Sequence, residues 1–253
     1  MANILSYRIG YVSQPQLPLD RTAKIGIKHL EIVMAEGETV PDVLRTLEPH
    51  GLRVATLSAP MPLAEDSLYH QLADYADRAA ALGALGLYTS AHAGDMPREE
   101  AYDRLRKVGD IAAARGLFIA LETHPDLCEN GTKAAETLSA INHPALAWNC
   151  DAANLYYYNE NIDAVEEVKK AARFIRSLHA KDTMGGFHDP SFPNLGEGIV
   201  DYAGIGEVLR SVGFSGPYTL ELEGIAGSAD SVEKMEANVA ACAGHLRGLG
   251  LVD

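Results

Sequence analysis

The stretch LFIALETHPDLCENGTKAAETLSAINHPALAWNCD, residues 117–151, holds one complete structural unit. It opens on an apolar, β-favouring run, Leu117 to Glu122 (LFIALE). A helix-favouring stretch follows from Thr132 to Ile141, and a second β-favouring run, Leu146 to Asp151 (LAWNCD), closes the unit. Neither run alternates apolar with polar residues. Near-continuous apolar character is what a strand covered on both faces needs. Strand, helix and strand in succession predict a parallel pair joined by a right-handed crossover. Both runs end in a carboxylate, Glu122 and Asp151.

The same unit recurs outward in both directions. Upstream, the β-favouring runs are Tyr7 to Ser13, His29 to Met34, Arg53 to Ser58 and Leu85 to His92. Helical stretches at Asp20 to Lys28, Val40 to Glu48, Asp66 to Leu82 and Arg98 to Arg115 separate them. Downstream come a helix from Asn161 to Ala172, the run Ile175 to Lys181 (IRSLHAK), and a long loop. A helix from Tyr202 to Val212, the run Tyr218 to Glu223 (YTLELE) and a closing helix, Ser231 to Arg247, complete the chain. Eight β/α units in 253 residues predict one (β/α)8 TIM barrel domain spanning 1–253. An open nucleotide-binding sheet is disfavoured, because no GxGxxG follows the first run and no Walker A loop occurs. Gly51, Gly83, Gly116 and Gly213 stand where helices should stop.

Composition narrows the function. Hydrophobic residues make up 47% of the chain, as in an ordinary globular protein. Lys plus Arg is 21 against 35 Asp plus Glu, a formal net charge of −14. Such an acidic chain is a poor partner for nucleic acid or an anionic membrane surface. Cys128, Cys150 and Cys242 form no CxxC pair, and Met1 to Ser13 lacks the pattern of an export signal. Reduced thiols and a cytoplasmic location are expected.

Barrel active sites lie at the C-terminal ends of the strands. Four successive runs end in, or carry near their ends, a residue that does not belong in an apolar core: Glu122, Asp151, His179 and Glu221. Three carboxylates and an imidazole suit one divalent cation, Mn²⁺ first, with Mg²⁺, Co²⁺ or Zn²⁺ as alternatives. Without a cation, at least one of the acids should be pushed toward its neutral form. The competing reading is four separate strand-end residues that cap helices or pair with lysines.

Specific motifs sharpen this reading. They are LETHP (Leu121 to Pro125), NCDAANL (Asn149 to Leu155), SLHAKD (Ser177 to Asp182), LGEGIVDY (Leu195 to Tyr202) and GPYTLELEG (Gly216 to Gly224). In this order and spacing the chain resembles the xylose-isomerase-like barrel superfamily, in particular its sugar phosphate isomerase/epimerase group. The resemblance implies that Glu122, Asp151, His179 and Glu221 are the metal ligands and that Glu122 and Glu221 move the substrate proton. Glu221 is preferred to Glu223 because its distance from Gly216 matches the group's last-strand motif. Glu223 should then lie farther out and hold another residue in place. Two departures stand out. Asn154 occupies the place where hexulose 3-epimerases carry a histidine, and the loop AKDTMGGFHDPSFPN has no arginine.

The expected activity is metal-dependent isomerisation or epimerisation of a keto sugar or related polyhydroxy carbonyl compound through an enediolate. Loss of a β-leaving group from the same enediolate would make a lyase or dehydratase. A non-catalytic metal-binding accessory subunit is the alternative of a different class; an abasic-site endonuclease would need more histidines. No phosphate-binding loop is visible, so an unphosphorylated substrate is favoured, and a homo-oligomer is compatible with the chain. His92, His124, Asn154, Lys181 and His188 are expected to contact the substrate, with Glu31 as an inward-facing polar residue doing the same. Lys181 has a surface pair with Asp182 as its competing role. The loop Gly185 to Gly198, which holds His188, should cover the site. Of Tyr156, Tyr157 and Tyr158, two are expected to pack and the third to wall the pocket or form a subunit contact.

Overall fold

The computed structural model describes residues 3–224 and 231–253. The strands are β1 (Ile4–Tyr11), β2 (His29–Val33), β3 (Arg53–Ser58), β4 (Gly86–Thr89), β5 (Phe118–Glu122), β6 (Leu146–Asp151), β7 (Ile175–Ala180) and β8 (Pro217–Leu220). They pair in sequence order, all parallel, and β8 returns to β1 with Ile4 opposite Pro217 and Tyr7 opposite Leu220. The predicted (β/α)8 barrel is therefore the observed fold. The helices are α1 (Leu19–Lys24), α2 (Val40–Leu47), α3 (Leu68–Ala81), α4 (Arg98–Ala113), α5 (Gly131–Ile141), α6 (Ala152–Tyr158), α7 (Ala164–Ala171), α8 (Tyr202–Ser211) and α9 (Val232–Gly248). None of the described helices is long and apolar enough to cross a membrane.

Side-chain alternation splits the strands into two faces. Tyr7, Leu30, Leu57, Leu178 and Leu220 are buried beneath the helices. The alternate positions Ser6, Glu31, Thr56, Asn149, Ser177, His179 and Thr219 are buried and polar, and line the barrel interior. Ser177 donates to Asn149 Oδ1 at 2.6 Å within that layer. Trp148 packs as expected, fully buried, with Nε1 donating to Thr123 Oγ1 at 3.1 Å.

Helix ends follow local chemistry. Thr39 and Asp42 form a capping box on α2, and Asn130, Asp163 and Ser231 cap α5, α7 and α9. Gly51, Gly83, Gly116 and Gly213 all have left-handed φ, between 68° and 72°. Four boundaries differ from the sequence reading in ways that matter. β1 starts earlier, at Ile4, because its lower half pairs with β8. The tyrosine cluster forms an unanticipated short helix, α6, capped by Asp151. α7 starts only at Ala164, because Asp163 is its cap and Asn161 has left-handed φ. β4 stops at Thr89, which leaves His92 in a loop.

The long loop after β7 is tied down by one carboxylate. Asp182 Oδ1 accepts from the backbone N–H of Thr183 (2.8 Å) and Val200 (3.1 Å). Its Oδ2 accepts from Gly196 (2.9 Å) and Gly198 (3.1 Å). A Cβ at Gly198 would fall 2.3 Å from Asp182 Oδ1, so the close approach needs glycine there. Asp182→Ala orphans four N–H groups and should cost about 2–4 kcal/mol of stability. Urea unfolding measures it: a lowered midpoint with faster proteolysis between 185 and 198 is expected, and an unchanged midpoint would contradict this role.

Candidate metal centre

β5 to β8 deliver the four expected residues to one place. One ligand atom from each of Glu122, Asp151, His179 and Glu221 lies within 4.8 Å of the others, and all four side chains are buried. Strand register explains the convergence. Asp151 sits directly opposite His179, Glu122 pairs with Asn149 two residues below Asp151, and the Glu221 N–H donates to the Ala180 carbonyl just past the end of β8.

Each side chain is oriented by a second contact. Asp151 Oδ1 accepts from the N–H groups of Ala153 (2.9 Å) and Asn154 (3.0 Å). His179 Nε2 lies 3.0 Å from Glu31 Oε1, while Glu31 Oε2 accepts from Thr56 Oγ1 at 2.8 Å. Glu122 Oε2 accepts from the Ser90 hydroxyl and lies 2.7 Å from His124 Nδ1. Glu221 Oε1 lies 2.9 Å from Arg8 Nη1.

The atoms left over fit a cation. Asp151 Oδ2, His179 Nδ1 and Glu221 Oε2 are buried and have no hydrogen-bond partner among the described residues. His179 Nδ1 stands 3.1 Å from Glu221 Oε2 and 3.4 Å from Glu122 Oε1. Buried polar atoms without a hydrogen bond are costly, these ion-pair contacts compensate only in part, and a divalent ion would satisfy all of them at once. Three carboxylate oxygens and an imidazole nitrogen are a donor set such an ion accepts.

The protonation pattern shows the charge problem this cluster carries. Burial pushes Asp151 up to about 7, reinforced by Glu221 and Glu122 and opposed by Lys181 and His179. One acid is thus pushed toward neutrality, as the sequence implied. Burial also raises Glu221 and Glu122, but their histidine contacts outweigh it and hold both below the usual carboxylate range; Lys181 adds to the effect on Glu221. Burial lowers His179, yet Glu221 and Glu31 outweigh it and hold the imidazolium well above its ordinary value.

A cavity of about 360 Å³ opens above the cluster. His124, Asn154 and Lys181, three of the residues expected to contact substrate, line it. Asn154 Nδ2 donates to the Thr123 carbonyl at 3.3 Å. Lys181 does not pair with Asp182. Its Nζ lies 3.1 Å from Glu223 and 4.4 Å from the Phe192 ring centre, so Glu223 is the outer residue that holds another in place.

Three expectations need correction. Glu31 faces inward as expected, but it is fully buried against His179 Nε2 and Thr56 Oγ1 and does not line the cavity. His92 is exposed in the loop after β4 and lines a neighbouring cavity with Met61, Leu63 and Met96, meeting His124 only edge-on at 6.1 Å. His188 is exposed, with φ of 56°, and stacks on Phe187 at 4.0 Å; Pro190 and Phe192 of its loop line the cavity instead. The tyrosines also divide differently: Tyr157 and Tyr158 line the cavity, and Tyr156 packs, its hydroxyl accepting from Ala164 at 3.3 Å.

Arg8, Tyr88 and Ser90 line the cavity and were not anticipated. The available signal was parity: Arg8 alternates with Tyr7 and Ile9, an isolated cation on the face that carries Ser6.

The family model described as xylose isomerase-like TIM barrel matches residues 19–241. The chain belongs to that family. It is 29% identical over 134 residues to L-ribulose-5-phosphate 3-epimerase from Salmonella typhi, covering 51% of this chain and 45% of the epimerase. The chain thus spans less than half the length of that relative. It is 23% identical over 234 residues to 3-dehydroshikimate dehydratase from Bacillus anthracis, covering 82% of this chain and 81% of the dehydratase. Among solved structures, the IolI protein with a bound zinc atom matches at TM-score 0.78, with 19% identity and 99% of both chains covered. A xylose isomerase-like TIM barrel protein from Mycobacterium smegmatis in complex with magnesium matches at TM-score 0.73 and 18% identity, covering 89% and 88% of the two chains. At these identities the two structures establish the shared fold.

Loading the centre must displace the protons held by Asp151 and His179. Burial pushes Asp151 up to about 7, so its carboxyl is mostly protonated at pH 6 and mostly ionised at pH 8, while Glu221 and Glu31 hold the His179 imidazolium well above its ordinary value. Mn²⁺ uptake should therefore release more protons at pH 6 than at pH 8, with weaker binding at the lower pH. Calorimetry in buffers of different ionisation enthalpy measures this. Equal release at both values would contradict the assignment.

Proposed function

We propose that this chain is a divalent-metal-dependent isomerase or epimerase acting on a keto sugar or related polyhydroxy carbonyl compound. The observation that carries the reading is the buried convergence of Glu122, Asp151, His179 and Glu221 beneath a polar cavity. We infer that these four residues hold one ion, Mn²⁺ being the best match to a mainly oxygen donor set. When bound, the ion supplies Lewis-acid stabilisation of negative charge that develops on a carbonyl oxygen.

The protein's own groups do the rest. Asp151 and His179 are fixed by backbone N–H groups and by Glu31, and serve as the rigid half of the ligand set. Asn154, Lys181 and His124 offer N–H donors to substrate hydroxyls. Glu122 and Glu221 line the same cavity and exchange the carbon-bound proton. Removal of that proton leaves its electron pair in the enediolate. Return to the opposite face gives an epimer, and return to the neighbouring carbon gives the aldose or ketose isomer. Tyr157, Tyr158 and Phe192 limit access of water to the reacting carbon.

A dehydratase is the second reading. It is favoured by one observation: the alignment with 3-dehydroshikimate dehydratase covers most of both proteins, whereas the epimerase alignment covers about half of this chain. The same proton removal followed by loss of a β-hydroxyl gives that outcome. The buried, unpaired cysteines accord with a reducing, cytoplasmic setting.

Incubation of the Mn²⁺ protein with a ketose panel in D₂O tests the proposal. Deuterium should enter at the carbon beside the carbonyl. Glu122→Gln and Glu221→Gln should each slow exchange by about 100-fold or more, while some metal is retained. Full activity of Glu221→Gln would refute its role. Water loss without deuterated sugar would select the dehydratase.

A further inference from the structure

Arg8 stands at the metal centre without belonging to the ligand set. It reaches the cavity from β1, on the opposite half of the chain from the four ligands. Its Nη1 lies 2.9 Å from Glu221 Oε1 and 3.5 Å from Glu31 Oε1, and its Cζ lies 5.1 Å from the Tyr88 ring centre. Arginine keeps its charge at any working pH.

The two oxygens of Glu221 are therefore unequal. Oε1 is turned to Arg8, whereas Oε2 is turned into the cluster, 3.1 Å from His179 Nδ1 and 3.7 Å from Lys181 Nζ. Glu31 is divided in the same sense, Oε1 toward Arg8 and His179, and Oε2 toward Thr56. Arg8 and an incoming cation thus compete for one carboxylate, and they repel each other across a few ångströms. Both effects weaken ion binding. What the arrangement secures is a glutamate that cannot turn both oxygens on the ion, which leaves capacity there for substrate oxygens.

We propose that Arg8 is a positioning residue: it holds Oε1 of Glu221 away from the metal ion, so that only Oε2 is offered, and it weakens ion binding in doing so. This rests on the metal-dependent reading above and assigns a role to a residue outside the ligand set.

The test is a Mn²⁺ titration of the full chain, followed by the electron paramagnetic resonance signal of free Mn²⁺, for the parent protein, Arg8→Met, Arg8→Gln and Arg8→Lys. Removing the charge should tighten binding about three- to tenfold in the Met and Gln variants. Arg8→Lys keeps the charge and should bind within about twofold of the parent. An arginine that merely propped up the fold would give the opposite sign, because its loss would loosen the site and weaken binding. Neutral variants that bind no tighter than the parent overturn the proposal. Should neither neutral variant fold, Arg8→Lys decides: parent-like affinity supports the proposal, and more than tenfold departure overturns it. A parent protein that holds no Mn²⁺ would instead sink the metal-dependent reading itself.

Discussion

Three carboxylates cannot share a dry barrel mouth without positive charge among them. Glu122, Asp151 and Glu221 approach within 4.8 Å in a buried setting, and the surrounding structure is organised around that conflict. His179 stands between Glu122 and Glu221, with Glu31 behind it. Arg8 and Lys181 flank the cluster from β1 and from the end of β7. Even so, Asp151 is driven toward its neutral form, and Asp151 Oδ2, His179 Nδ1 and Glu221 Oε2 form no hydrogen bond among the described residues. A divalent cation would resolve both problems with the atoms already in place.

The barrel supplies the geometry. Parallel register sets Asp151 beside His179 and brings Glu221 level with them just past β8. Helix capping then uses the same carboxylate twice: Asp151 Oδ1 starts α6, which frees Oδ2 for the centre. One residue thus couples the start of a helix to the aim of a ligand. The polar interior layer beneath, with Ser177 bonded to Asn149 and Thr56 to Glu31, keeps these side chains from shifting. Asp182 performs a comparable service for the loop that brings Phe192 over Lys181.

Much of this was written in local sequence. Strand and helix order follows from apolar runs and glycine stops, and β3 and β6 match their expected limits at both ends. The four clustered residues are readable because each breaks an apolar run near its end. What escaped depends on parity and partners across the barrel. Arg8 looked like an ordinary strand residue until β1 met β8 beside Glu221. Glu31 faces inward as its strand position predicts, but only the fold shows that it meets His179, 3.0 Å away, and not the cavity. His92 was misplaced because β4 ends three residues before it. α6 was missed because its start depends on a side-chain cap, whereas three consecutive tyrosines carry no helical periodicity.

The proposed chemistry turns on a single ion held among Glu122, Asp151, His179 and Glu221. Anomalous-difference maps from crystals grown with Mn²⁺ address it most directly, because the signal is specific to the element. One peak per chain is expected, within bonding distance of Asp151 Oδ2, His179 Nδ1, Glu221 Oε2 and a Glu122 carboxylate oxygen. No peak among these atoms, or a single peak elsewhere on the barrel, would contradict a metal centre at this site.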